Sequence, residues 1–209
     1  MDTLDETRGS SPLRIKIATV GEPVLRQVGR ELTVEEIKTT AVQHLIEHMR
    51  ETVRDAPGVG LAAPQIGLPL QLAVIEDRLE YQKGISEEEL AQRERTAVPF
   101  HVIINPRIQL LSEPDVTFFE GCLSLPGFTA LVPRARRVLV ECLNHAGESV
   151  RIEAQGWYAR ILQHEIDHLH GMLYIDRMHS RSLASLENYN RHWKEKPIRE
   201  VEELLKSSS

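Results

Sequence analysis

The chain has 209 residues, 41% of them hydrophobic and 27% charged, with a formal net charge of −6. That balance is globular, long enough for a sizeable core and most simply one domain, and it excludes an intrinsically disordered chain. The acidic sign, without any lysine/arginine cluster, argues against direct nucleic-acid binding, and no apolar run approaches the length of a membrane span.

In chain order, residues 1–12 read as a flexible polar tail. It is acidic and lacks an apolar stretch, so neither a secretion signal nor a transit peptide is expected. Leu13 to Val20 alternates weakly and predicts a short strand, closed by Gly21-Glu22-Pro23. Thr33 and Glu36 form a capping box, opening a helix with Ile37, Ala41, Leu45, Met49 and Val53 on its core face and a stop near Asp55, before Pro57-Gly58. His44 and His48 on that helix have metal-pair spacing but no glutamate beside them, which favours a structural role. Gly58 to Gly67 (GVGLAAPQIG) is bare of bulk and tightly shaped, a loop that lets a ligand or another chain approach the backbone. Gln65 is its one residue that a plain connector does not explain.

Gln71 to Glu76 predicts a strand, and Tyr81 to Pro99 a charged insertion with a short helix capped at Ser86, expected to be a solvated surface excursion. Val102 to Asn105, Arg107 to Leu111 and Asp115 to Phe119 read as short strands separated by prolines. Arg136 to Leu143 and Ser149 to Ala154 form a hairpin pattern, with Val138, Val140 and Cys142 on one face, so Cys142 reads as a small core residue. Cys122 has no such role; it sits in the turn-rich stretch Glu120 to Gly127. Two cysteines make no disulfide framework and fit a reducing compartment, so a cytoplasmic location is expected. After Tyr174-Ile175-Asp176 the chain turns polar, with one amphipathic piece from Pro197 to Lys206.

The stretch His164-Glu165-Ile166-Asp167-His168 reads H-E-x-x-H. Four residues apart on a helix, both imidazoles leave one face and can share a metal ion, with Glu165 in reach of a water on that ion. Trp157, Ile161, His164 and His168 share a helical stripe, and Gly171 follows where a helix ends. A catalytic zinc-type site takes three protein ligands. The extended pattern with a third histidine fails, because Tyr174 occupies its place. By spacing, Cys122 and the downstream Glu187 are comparable candidates for the third ligand.

Taken together, GVGLAAPQIG (58–67), EGCLS (120–124) and HEIDH (164–168) resemble the three motifs of the peptide deformylases, in that family's order, and Gly21 to Arg26 resembles its start. The likeness spans residues 13–178, leaving 1–12 as a tail and 179–209 as a polar, helical extension. The insertion resembles longer-insert forms of plant organelles and some bacteria. The resemblance implies Cys122, His164 and His168 as metal ligands, Glu165 as general acid/base, Gln65 and the Leu123 backbone N–H as oxyanion donors, and Gly60 at the substrate backbone. It implies Fe²⁺ as the natural ion, with Zn²⁺ or Ni²⁺ as substitutes, and N-formylmethionyl nascent chains, with the ribosome, as partners. The expected fold is α+β, with mixed, mostly antiparallel strands packed around a central metal-binding helix. The expected function is removal of formyl from N-formylmethionine. The alternatives are an H-E-x-x-H metalloprotease using Glu187, and a non-catalytic peptide-binding metal module.

Overall fold

In the computed structural model, residues 15–56 and 58–207 are described; the tail expected over 1–12 lies outside them. Five strands form one antiparallel sheet in the order β1 (Gly60–Ala62), β2 (Leu72–Asp77), β3 (Val98–Leu110), β6 (Arg137–Leu143), β7 (Ser149–Gln155). A smaller antiparallel sheet joins β4 (Val116–Cys122), β5 (Leu125–Arg134) and β8 (Ala184–Ser185). The helices are α1 (Val34–Ile37), α2 (Thr40–Asp55), α3 (Glu87–Gln92), α4 (Gly156–Leu169), α5 (Leu186–His192) and α6 (Ile198–Ser207). The class is therefore α+β, as the sequence predicts, but the strand pairs of both sheets are all antiparallel rather than mixed.

At β1, β2 and the middle of β3 the larger sheet is buried on both faces, which explains the apolar run Leu72 to Ile75 in β2, while β6 and β7 have one exposed face. Ala73 and Ile75 of β2, with Ile103 of β3, pack against Ala159, Leu162, Ile166 and Leu169 of α4. The alternate residues Leu72 and Val74, with Val102 and Ile104, pack against Ile46, Met49 and Val53 of α2. Thr39 caps α2 afresh after α1 ends at Ile37, so the buried face of α2 is Ile46, Met49 and Val53, while Ala41 of the expected stripe is exposed. Gly156, at φ +59°, lets α4 start directly at the end of β7. Gly171, at φ +72°, ends it.

Three expectations change. Residues 15–20 form no strand; Ala18 N–H donates to the Gln65 carbonyl and Val20 N–H to that of Ser124, bracing two of the motif loops. The two strands expected around Pro106 are one, β3, whose register shifts between Ile104 and Arg107, so the N–H that proline lacks falls in an irregularity. The insertion is not a free excursion. Its far end, Arg93 to Arg95, packs on Gly156 and Trp157 at the start of α4.

Candidate active site

β4 ends at Cys122, and α4 runs beside it with His164 and His168 one turn apart. Their potential ligand atoms converge to within 4.8 Å of one another, a grouping among the described residues that includes neither His44, His48 nor Glu187. Cys122 Sγ lies 3.3 Å from His168 Nε2. Glu187 lies exposed in the first turn of α5, so the structure gives it no place as a third ligand.

His164 is oriented from behind. Its Nδ1 lies 3.0 Å from Glu120 Oε2 and donates to it, which leaves Nε2 as the ring's free donor atom. Glu120 in turn receives both arms of the Arg134 guanidinium, at 2.9 and 3.0 Å, and Arg160 at 2.7 Å. Arg134 also bridges to Asp167 of α4, which Arg177 grips from the other side at 2.7 and 2.8 Å. A chain of charges, buried from Glu120 to Asp167 and exposed at Arg177, thus ties β4, β5, α4 and the segment after it into one unit behind the candidate ligands. Burial by itself would push the Glu120 carboxyl up, but Arg134 and the hydrogen bonds from His164 and Arg134 outweigh it and hold it well below the usual carboxylate range. Tyr174, where a third histidine was sought, instead stacks on His164, with ring centroids 6.3 Å apart and planes at 18°.

Glu165 is turned away from that network. It is buried, and its Oε2 has no hydrogen-bond partner. Burial pushes its pKa up to about 7, against the pull of His164 and Arg134. The room for its carboxylate comes from Gly60 of β1: a Cβ there would meet Glu165 Oε1 at 2.3 Å. Gln65, in the 3-10 turn Ala63–Ile66, is buried and held at both ends. Its Oε1 accepts from Ala62 N–H at 2.8 Å, so its Nε2 is directed at Ser124 Oγ, 3.2 Å away, and Cys122 Sγ, at 3.5 Å. A cavity of about 420 Å³ is bounded by Gly60, Gln65, Cys122, Leu123, His164 and Glu165.

The donor set passes the test for a divalent ion: one thiol and two imidazoles converge, one ring is fixed through its far nitrogen, and an unpartnered carboxylate oxygen is buried alongside. This is the arrangement of donors and base that metal-dependent hydrolases use. Comparison with known proteins narrows the class. The profile of the polypeptide deformylase family matches residues 15–184. A peptide deformylase 1 of Bifidobacterium longum is 42% identical over 198 residues, covering 95% of this chain and 88% of that one. The chloroplastic peptide deformylase 1A of tomato is 44% identical over 172 residues, which are 82% of this chain and 62% of the relative. Among solved structures, a Met-Ala-Ser-bound class I type b peptide deformylase of Acinetobacter baumannii aligns with a TM-score of 0.71 at 29% identity, covering 80% of this chain and all of that one. The chain belongs to the polypeptide deformylase family. It spans less than two thirds of the plant relatives, 62% of the tomato and 64% of the Arabidopsis sequence.

The sequence reading named the candidate ligands, base and amide, but missed Arg95 and Arg160 on the cavity wall and the charges behind it. Glu120 opens a motif that had been quoted, yet its partners Arg134 and Arg160 lie far away in the chain. The one local signal was a set of charges within otherwise apolar strand and helix patterns. Ser124, fully buried against Gln65, was likewise quoted without a role.

Proposed function

We propose that this protein removes the formyl group from N-formylmethionyl peptides as they are made, with Cys122, His164 and His168 holding a divalent metal ion on α4. The observation that carries the reading is the convergence of those three side chains on one another beside a cavity that Cys122, His164, Glu165 and Gln65 line. When bound, the ion supplies a water acidic enough to attack an amide near neutral pH. Glu165, buried with an unpartnered carboxylate oxygen beside the ligands, takes the attacking water's proton and returns it to the departing amine. Gln65 Nε2 and the Leu123 backbone N–H donate to the oxygen that gains negative charge, and because Gln65 Oε1 is already engaged, its amide needs no reorientation. Gly60 keeps the β1 backbone close enough for the substrate main chain to lie beside it. Residues 13–178 hold every group in this scheme, with 179–209 as an extension.

No helix among the described residues is long and apolar enough to cross a membrane. A cytoplasmic location, with nascent chains at the ribosome as the source of substrate, remains part of the proposal. The deciding assay compares formyl and acetyl versions of one methionyl peptide, and internal peptide bonds as a third arm. Formyl should be released far faster, because the extra methyl of acetyl crowds the walls made by Gln65 and Gly60. Equal rates, or internal cleavage, would favour a protease. Glu165→Gln should lower turnover by about 10²–10⁴-fold with metal still bound. Peptide binding without turnover in the metal-loaded protein would favour a non-catalytic module.

A further inference from the structure

The extension over residues 179–209 has no part in the chemistry above, yet one of its side chains reaches the cavity. After the 3-10 turn Ser180–Ser182, the chain adds β8 to the edge of β5, with Phe128 opposite Ser185 and Thr129 opposite Ala184. The join is held before and after. His179 N–H donates to the Leu131 carbonyl at 2.9 Å, and Ser182 Oγ accepts from Leu131 N–H at 2.8 Å. Ser185 Oγ then accepts from Asn188 N–H at 3.2 Å to open α5, whose Tyr189 packs on Phe119 of β4 with ring centroids 4.7 Å apart. Leu186, between these anchors, lines the cavity, as does Phe128.

Exposure shows where that cavity opens. Among the described residues of its lining, the exposed ones are Gly121, Pro126, Gly127, Phe128 and Leu186, whereas Gln65, Glu120 and Glu165 are buried. A peptide whose formyl end reaches Glu165 must therefore leave across that rim. Two large apolar side chains stand on it, Phe128 at 43% exposure and Leu186 at 45%. An extended chain advances about 3.3 Å per residue and turns alternate side chains to the same side. When the first side chain enters the cavity, the third comes down on its rim.

We propose that Leu186 and Phe128 form an apolar ledge for the third side chain of the substrate, so that the C-terminal extension sets specificity downstream of the formylated residue. The proposal rests on the deformylase reading of the same cavity. Neither side chain of the ledge offers a hydrogen bond or a charge, so the ledge discriminates by burial. A leucine at the third position removes its own apolar surface and part of the ledge from water. A serine covers little of the ledge and brings a hydroxyl that the ledge cannot satisfy.

The test measures kcat/KM of the metal-loaded full chain on formyl-Met-Ala-Ser, formyl-Met-Ala-Leu and formyl-Met-Leu-Ser, which vary the third and second residues separately. Wild type should favour leucine over serine at the third position by about threefold or more, chiefly through KM, the scale of a partly covered apolar contact. Leu186→Ala and Phe128→Ala should each remove most of that preference and leave the second-position ratio alone. Leu186→Lys should raise kcat/KM on formyl-Met-Ala-Glu relative to formyl-Met-Ala-Leu severalfold, because it places a cation on the ledge. Leu183→Ala is the control. Leu183 is equally exposed, at 45%, but lines a separate cleft beside α5 and α6, so its loss should change no ratio. Metal per chain should match wild type in all four variants. If Phe128→Ala fails to fold, the two Leu186 variants decide. A third-position preference that is absent from wild type, or that survives in folded, metal-loaded Leu186→Ala, would overturn the proposal. A wild-type protein inactive on every formyl peptide would instead refute the deformylase reading, and this proposal with it.

Discussion

Glu120 and His164 are joined by a 3.0 Å hydrogen bond across two elements 44 residues apart in the chain, and that bond fixes which imidazole nitrogen faces the cavity. As an anion the carboxylate can only accept, so His164 must present an N–H to it. The carboxylate stays an anion because Arg134 and Arg160 surround it, with 3% and 5% of their side chains exposed. Position and charge state therefore have the same cause.

Glu120→Gln should test both at once. Removing the charge leaves two buried guanidiniums short of a partner, a defect that costs about 3–5 kcal/mol where one member of a buried pair is lost. It also leaves His164 to compete with the two guanidiniums for the one remaining amide oxygen, and loss of such an orienting partner weakens metal binding by about 10–100-fold. Denaturant melts together with metal retained after dialysis against a chelator give the two readings. A variant with wild-type stability and wild-type metal retention would mean that the network positions nothing.

Gly60→Ala should separate Glu165 from the rest of the site. The new methyl would sit 2.3 Å from Glu165 Oε1, and the three atoms it would meet first all belong to Glu165, so that side chain must move before any candidate ligand does. A displacement of this size costs about 100-fold in rate. The expected result is a large fall in turnover with full metal content. Wild-type turnover would show that Glu165 need not stand where it is seen.

What was legible in the sequence divides along a physical line. The candidate ligands, base and amide lie in three short stretches with unusual composition, and Cys122, Gln65, Glu165 and both histidines could be picked out there. The antiparallel hairpin around Asn144 was legible too, since its alternation and turn chemistry are local. Strand β5 was not, because Pro126, Gly127 and Pro133 break its pattern and its pairing with β4 and β8 is set from outside. The insertion was misread for a related reason. Arg93 and Arg95 look like surface residues until Asp77 and Trp157, distant in sequence, supply an ion-pair partner and an aromatic face. In a stretch as polar as the insertion, charges that are buried in pairs carry no local sign of it, whereas within the apolar patterns of β4, β5 and α4 they stand out.

The two cysteines should differ in chemistry as they do in setting. Burial raises the Cys142 thiol to about 11, so at pH 8 roughly one molecule in a thousand carries the thiolate there. Cys122 is half-buried and faces the cavity. Iodoacetamide at pH 8 should therefore spare both residues in the metal-loaded protein, and label Cys122 but not Cys142 after chelation, as read by peptide mapping. Cys122→Ala should lose metal and activity, whereas Cys142→Ala should show the modest stability loss of a small core truncation. Full metal content in Cys122→Ala would remove it from the ligand set.

The identity of the ion is the last prediction, because donor type and family membership point in different directions. One thiolate with two imidazoles is a zinc-type set, and zinc outranks ferrous iron in the divalent affinity series. Likeness to the deformylases implies Fe²⁺ instead, with supply in the cell deciding over affinity. Such a site is exposed to oxygen through both the iron and the thiolate of Cys122. Enzyme prepared in air should then lose activity and carry zinc or nickel, while reconstitution with Fe²⁺ under argon should restore more turnover per bound ion than Zn²⁺ does. The same three side chains should be required for either ion, so Cys122→Ala and single alanine replacements of His164 and His168 should lower the uptake of both. Turnover per bound metal, measured for each ion without oxygen, is the quantity to compare. Equal or higher turnover with zinc, stable in air, would sink the assignment of iron and leave the reaction, the base Glu165 and the ligand set untouched.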